Sequence, residues 1–239
     1  WALNLIKVTP DSNDDSNFNL TVRATATDGA DTAFADAVVT VTVDAVADTP
    51  NVSANAAIST DEDVESAVLG ITASLNDASE TLKVEVSNLP AGASLSDGTN
   101  SSSTATTDVT TWALNLIKVT PASDDDSNFN LTVRATATDG ADTASADAVV
   151  AVTVDAVADT PNVSANAAIS TDEDVESAVL GITASLNDPS ETLKVEIINP
   201  GGASLSDGTN SSSTATIDVT AWALNLIKVT PDSNDDSNF

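Results

Sequence analysis

The segment Trp1-Ala-Leu-Asn-Leu-Ile-Lys-Val-Thr-Pro10 returns at Trp112–Pro121 and again at Trp222–Pro231, spaced by 111 and then 110 residues. Most positions between the copies are identical. The missing residue lies where Ser87-Asn88-Leu89-Pro90-Ala91-Gly92-Ala93 becomes Ile198-Asn199-Pro200-Gly201-Gly202-Ala203. Solenoid repeats run roughly 20–45 residues, whereas a domain with its own core has roughly 100–150. The period is therefore a whole domain, and the chain is an array of near-identical domains.

The joints of the array are marked by Val43-Asp-Ala-Val-Ala-Asp-Thr-Pro50 and its copy Val154–Pro161. Proline cannot donate a ladder hydrogen bond, so it favours the start of a strand or a linker. A boundary at each proline gives the C-terminal part of a repeat at 1–49, a complete repeat at 50–160 and the N-terminal part of the next at 161–239. The two outer pieces break off at nearly the same phase, which predicts a window on a longer array.

Within one repeat the signals are those of short strands. Asn51–Ser59 and Glu65–Leu75 are predicted strands, separated by the acidic loop Asp61-Glu62-Asp63. Leu82, Val84 and Val86 alternate with Lys83 and Glu85, the period of a half-buried strand. Ala93–Ser96 and Leu116–Thr120 are shorter strands, and Ser101–Thr107 fits a strand or a loop. Asp108 is placed to cap a helical turn leading to Trp112. After a second acidic loop, Ser123–Asn128, Phe129, Leu131, Val133 and Ala135 alternate along a strand. Asp139-Gly140-Ala141-Asp142 has hairpin-turn composition, and Thr143–Val154 closes the repeat. About seven strands with turns every 8–12 residues predict an all-β fold, an antiparallel β-sandwich.

Charge narrows the function. Asp and Glu number 37 against 7 Lys and Arg, a net charge of −30. Nucleic acid and anionic membrane surfaces both require a basic patch, so neither is an expected partner. No stretch approaches the roughly 20 apolar residues of a membrane span. The chain has no Cys and no His, which removes disulfides, thiolate sites and the commonest general base. An enzyme is not expected. The metals that remain natural are hard cations with oxygen ligands.

Strand direction predicts where the carboxylates meet. The first and last strands of a repeat end at the same pole, so Asp61, Glu62 and Asp63 lie near Asp155, and the loop with Asp125 and Asp126 lies there too. Asp77, Glu80 and Asp139 lie at the opposite pole, facing the preceding joint. The matching residues of the other repeats are Asp14, Asp15, Asp28, Asp44 and Asp48 on one side, and Asp159, Asp172, Glu173, Asp174, Asp188 and Glu191 on the other. At about 5 Å and an effective dielectric near 20, each pair of bare carboxylates costs roughly 3 kcal/mol before screening. Calcium takes about six to eight oxygens and reverses the sign of that interaction. The expected cofactor is Ca2+, held at the joints.

Phe129-Asn-Leu-Thr-Val-Arg-Ala-Thr-Ala-Thr-Asp139-Gly140 resembles the cadherin signature, an aromatic strand ending in Ala-x-Asp-x-Gly. Thr60–Asp63 sits where cadherins carry a Pro-Glu-Asn-like calcium segment, Asp124–Asp126 where they carry Asp-Arg-Glu, and Asp155–Asp159 where they carry the Asp-rich linker. The linker lacks the Asn-Asp-Asn of cadherins, and the Asp-x-Asp turn is reduced to Asn76-Asp77. Ser79-Glu-Thr-Leu-Lys-Val84, Leu89-Pro-Ala-Gly-Ala-Ser-Leu-Ser96 and Asp139-Gly-Ala-Asp-Thr-Ala144, with the Ala-Val-Ala-Asp-Thr-Pro linker, are similar to the extender repeats of giant bacterial RTX adhesins. The resemblance implies tandem Ig-like or cadherin-like domains joined end to end and rigidified by calcium. It also implies type I secretion, an extracellular cell-surface location, and a role in adhesion and biofilm. Neighbouring repeats would be the partners, and the tip ligand would lie outside this chain. Two other classes stand beside this one. A repeated glycan- or surface-binding module would need an exposed aromatic row or flat Thr array. A self-assembling fibre subunit would use its incomplete ends to complete a neighbour.

Overall fold

The alternation of small apolar and polar residues does form strands. The computed structural model describes residues 5–198 and 203–233, and among these the ordered elements are strands and short 3-10 turns. The shortened turn Asn199–Gly202, the start of the first Trp-containing segment and the last acidic loop lie outside the described residues. The chain divides into two units, Trp1–Asp155 and Ala156–Phe239.

The first unit opens with a hairpin, β1 (Phe18–Asp28) and β2 (Asp31–Val41), paired from Phe18↔Val41 to Asp28↔Asp31. Gly29 in its turn has φ +62°, a conformation that costs glycine little. The complete repeat follows. Its strands are β3 (Asn51–Ser53), β4 (Ala57–Asp61), β5 (Thr72–Ser74), β6 (Thr81–Ser87), β7 (Ser94–Ser96), β8 (Ser101–Ser102), β9 (Thr106–Asp108), β10 (Lys118–Thr120), β11 (Phe129–Asp139) and β12 (Asp142–Asp155). They form a five-stranded sheet ordered β4-β12-β11-β6-β9, a three-stranded sheet β10-β7-β8 and the pair β3-β5.

The core follows from the period of two. Leu131, Val133, Ala135 and Ala137 of β11 are fully buried, while Arg134 between them points out to Asp147 at 2.7 Å. Val84 and Val86 of β6, Leu95 of β7, Val119 of β10 and Val150 of β12 join the same buried cluster, so both larger sheets feed one core. Trp112 packs partly buried against it.

Three expectations change. Strand 51–59 is broken into β3 and β4, which belong to different sheets. Strand 65–75 shrinks to β5. The cause is local: Asn55 donates from its backbone to Leu69 O at 2.8 Å and from Nδ2 to Val68 O at 3.0 Å. Gly70 beside it has φ +67°, and a Cβ there would come within 2.8 Å of the Asn55 amide carbon. The segment before β5 instead hydrogen-bonds irregularly to the β10 region, with Ser66 N–H on Val119 O and Leu69 N–H on Ile117 O. The β4–β12 ladder is parallel within an otherwise antiparallel sheet, which fits the first and last strands ending at one pole, with Asp61 opposite Asp155. Ser101–Thr107 proves to be β8, a hydroxyl-stitched bend and the start of β9. The helical turn is the 3-10 turn Leu114–Leu116, and Asp108 instead accepts from Thr110 N–H at 3.0 Å.

The second unit repeats part of this pattern. Its strands are β13 (Asn162–Ser164), β14 (Thr183–Ser185), β15 (Glu196–Ile198), β16 (Ser204–Ser206), β17 (Ser211–Ser212), β18 (Thr216–Asp218) and β19 (Lys228–Thr230). They form β13-β14, β15-β18 and β17-β16-β19. A smaller core gathers around Val219, Ile227 and Leu205.

Candidate metal centre at the joint between repeats

The linker Asp44–Pro50 in the first unit is clamped from both sides by asparagine and carboxylate side chains. On the hairpin side, Asn17 Oδ1 accepts from Val43 N–H at 2.8 Å, which brings the acidic loop against Asp44. On the side of the complete repeat, Asn76 Nδ2 donates to Thr49 O at 2.7 Å and its Oδ1 accepts from Asn51 at 2.7 Å. Asp142 Oδ2 accepts from Ala47 N–H at 3.1 Å, and Glu80 Oε1 accepts from Asp48 N–H at 2.5 Å.

This clamping gathers Asp11, Asp14, Asp15, Asp44, Asp48 and Asp139 around a cleft of about 260 Å³. Five of these six were expected from the sequence; Asp11 was not. Glu80 holds Asp48 through the backbone N–H. Its side chain is buried, at 6% exposure, and its Oε2 has no hydrogen-bond partner. A buried carboxylate oxygen left without a donor is costly. A cation within reach of that oxygen would offset the cost, and an all-oxygen donor set suits a hard one.

The other expected residues fall into groups. Asp61, Glu62, Asp63 and Asp155 meet at the far end of the complete repeat: Asp61 faces Asp155 in register, and Glu62 N–H donates to Asp155 O at 3.0 Å. Glu62 is buried, at 5% exposure. Asp63 and Asp124 bring carboxylate oxygens within 4.8 Å of each other. Both have left-handed backbones, φ +59° and +54°, which Asp tolerates better than most residues. The neighbouring loop carries Asp125 and Asp126, and Asn128 ties it to β12 by accepting from Val154 N–H at 2.8 Å. In the second unit, Asp159 N–H donates to Glu191 Oε1 at 2.6 Å, repeating the Asp48–Glu80 contact.

Some expected ligands also serve local structure, each closing a turn through one carboxylate oxygen. Asp14, Asp77, Asp125 and Asp188 each accept from the backbone N–H two residues on, closing Asx turns. The Ser16 hydroxyl and N–H hold Asp14 below the usual carboxylate range, and Ser127 does the same for Asp125. Asp28 sits exposed at the β1–β2 turn, away from the cleft that its copy Asp139 lines. Asp172, Glu173 and Asp174 are exposed in the second unit.

Sequence reasoning missed the asparagines. Asn17 and Asn128 stand just before the aromatic residue that opens each long strand, a recurring Ser-Asn-Phe that could have flagged them. It also missed Asp97. That buried carboxylate accepts from Thr99 N–H, Asn100 N–H, Asn100 Nδ2 and Ala113 N–H at 2.7–3.0 Å. Donation by Asn100, then Ala113 and Thr99, holds it well below the usual carboxylate range, and Asp207 repeats the arrangement. A depressed folded-state value stabilises the fold above the unfolded value near 4, and that stability is lost as pH falls below it. Urea unfolding across that range should therefore show an acid-side loss that Asp97→Asn makes shallower. An unchanged pH profile would contradict the assignment.

The chain matches no family model, and no curated protein matches it. No helix among the described residues is long and apolar enough to cross a membrane.

Proposed function

We propose that the chain is a structural extender: tandem Ig-like, cadherin-like β-sandwich domains joined end to end, with calcium at the joints, in a bacterial cell-surface adhesin. The observation that carries this reading is the joint at Asp44–Asp48. There six carboxylates surround one cleft, and Glu80, bonded to Asp48 N–H, has a buried oxygen that no donor satisfies. Asp44, Asp48, Asp139 and Glu80 would hold the ion, with Asp14 and Asp15 completing the oxygen set. Bound there, calcium neutralises the repulsion and ties the linker to residues from both repeats. A floppy joint becomes a stiff one.

The repetition supports the same reading. A spacer gains from uniform domains, whereas a binding site gains from difference. A glycan-binding row is not favoured, because Trp112 and Trp222 pack against cores.

Small-angle X-ray scattering on the 239-residue polypeptide, with calcium and then with chelator, tests the proposal. The expected result is a longer, stiffer particle with calcium and a more flexible one in chelator. Identical profiles would leave the acidic loops as surface charge alone.

A further inference from the structure

Tension along an array enters each repeat near its first strands and leaves at its last. The pairing of those strands decides what resists it. In the complete repeat, the short β3 holds only β5, over three residues. The next strand, β4, lies beside the last one, β12, and runs parallel to it from Ala57↔Ala151 to Asp61↔Asp155. A bond closes each end of this ladder: Ala151 N–H donates to Ala56 O and Glu62 N–H to Asp155 O, both at 3.0 Å. A parallel ladder bonds alternate residues of each strand. Ala56, Ile58, Thr60 and Glu62 therefore turn their backbone groups toward β12, and Ser59 turns its own outward. β4 is the edge of its sheet, with β12 as its one neighbour there.

Parallel pairing of these two strands has a mechanical consequence. The pull on β4 acts at its N-terminal end, and the pull on β12 at its C-terminal end. The five residues of β4 separate those points by roughly 16 Å along the strands, against about 4.8 Å across them. The line of force therefore runs mainly along the ladder. Its bonds are loaded together in shear, and none opens ahead of the rest. Antiparallel end strands would leave at one pole, and the same bonds would open one at a time. Both partners are also anchored. β12 is paired with β11 over eleven residues. Ile58 packs against the core. Just past β4, Thr60 Oγ1 donates to Val64 O at 2.9 Å and Ser66 N–H to Val119 O at 2.8 Å. Sliding β4 along β12 must also disturb those contacts.

We propose that the β4–β12 ladder is a shear clamp, which makes the repeat resist tension applied along the array. Its purpose rests on the extender reading, since a chain that holds an adhesive tip away from a cell transmits the drag on that tip. The clamp itself needs neither calcium nor a neighbouring repeat. Every group in it belongs to residues 56–155.

Single-molecule force spectroscopy on the whole chain, in chelator, is the test. The chain has no cysteine of its own, so handles attach only where one is introduced. Ala56→Cys with Ala156→Cys loads the ladder in shear. Ala56→Cys with Val149→Cys, both at the Ala57–Ala151 end, peels it; all three positions are exposed. At one loading rate the shear pair should need a several-fold higher force, and the chain between its handles should then lengthen by roughly 330 Å. Ile58→Pro removes a ladder N–H and should bring the shear force down toward the peeling value. Ser59→Pro removes an outward N–H on an edge strand and should leave most of it. Equal forces in the two directions would overturn the proposal, and so would a shear force that both prolines lower alike. The directional comparison leaves β4 unsubstituted, so it decides the matter even where a proline variant fails to fold. A directional difference in chelator, beside X-ray scattering that ignores calcium, would uphold the clamp and remove the calcium-stiffened joint.

Discussion

Calcium should raise the thermal unfolding midpoint of the chain, and Glu80→Gln should remove the part of that gain that comes from the Asp44–Asp48 joint. Extracellular modules hold calcium at roughly 10⁻⁴–10⁻³ M. A ligand present at about ten to a hundred times its dissociation constant stabilises by about 1.4–2.7 kcal/mol per site. For a domain of this size that is a shift of several degrees. Magnesium should do less, because it demands a tighter octahedral shell and gives up water reluctantly. Glutamine keeps the shape of Glu80 and an oxygen to accept from Asp48 N–H. It replaces the unsatisfied Oε2 with an amide and removes one negative charge next to Asp48. Without calcium the variant should therefore be no less stable than the parent chain. Equal calcium shifts in parent and variant would take Glu80 out of the site.

The site's gross layout was legible because it follows from strand direction. Asp61 and Asp155 had to end at one pole if the first and last strands run the same way, and the parallel β4–β12 ladder has them face to face. The long strands were legible too, since Phe129–Asp139 alternates without interruption and ends in Asp-Gly. What could not be read was the path of the backbone between weak strands. Glu65–Leu75 has enough apolar residues for a strand, but Gly70 at positive φ and the double grip of Asn55 send it elsewhere. Tertiary hydrogen bonds decided that stretch, and no periodicity records them. The fate of individual carboxylates was equally hidden. Asp97 looks like any turn aspartate until four donors converge on it. Asp139 lines the cleft beside the linker together with Asp11, Asp14 and Asp15 from the preceding repeat. A cleft lined by two repeats cannot be recognised from one.

Leu131→Ala should cost about 2–5 kcal/mol of stability, and the same substitution at Leu20 should cost far less in dilute solution. The two leucines occupy the same place in the same strand sequence, so propensity and unfolded-state effects cancel between them. What differs is burial: Leu131 is fully covered by the core, and Leu20 is 40% exposed. Truncating a buried leucine forfeits the transfer free energy of the lost atoms and leaves a cavity that close packing fills only in part. At Leu20 no such cavity forms. Urea unfolding of both variants, followed by tryptophan fluorescence, measures the difference. The Leu131→Ala loss should be independent of protein concentration. An equally large loss at Leu20 would mean that exposure does not set the difference between the two leucines. Little or no loss at Leu131 would mean that β11 does not line the core as described.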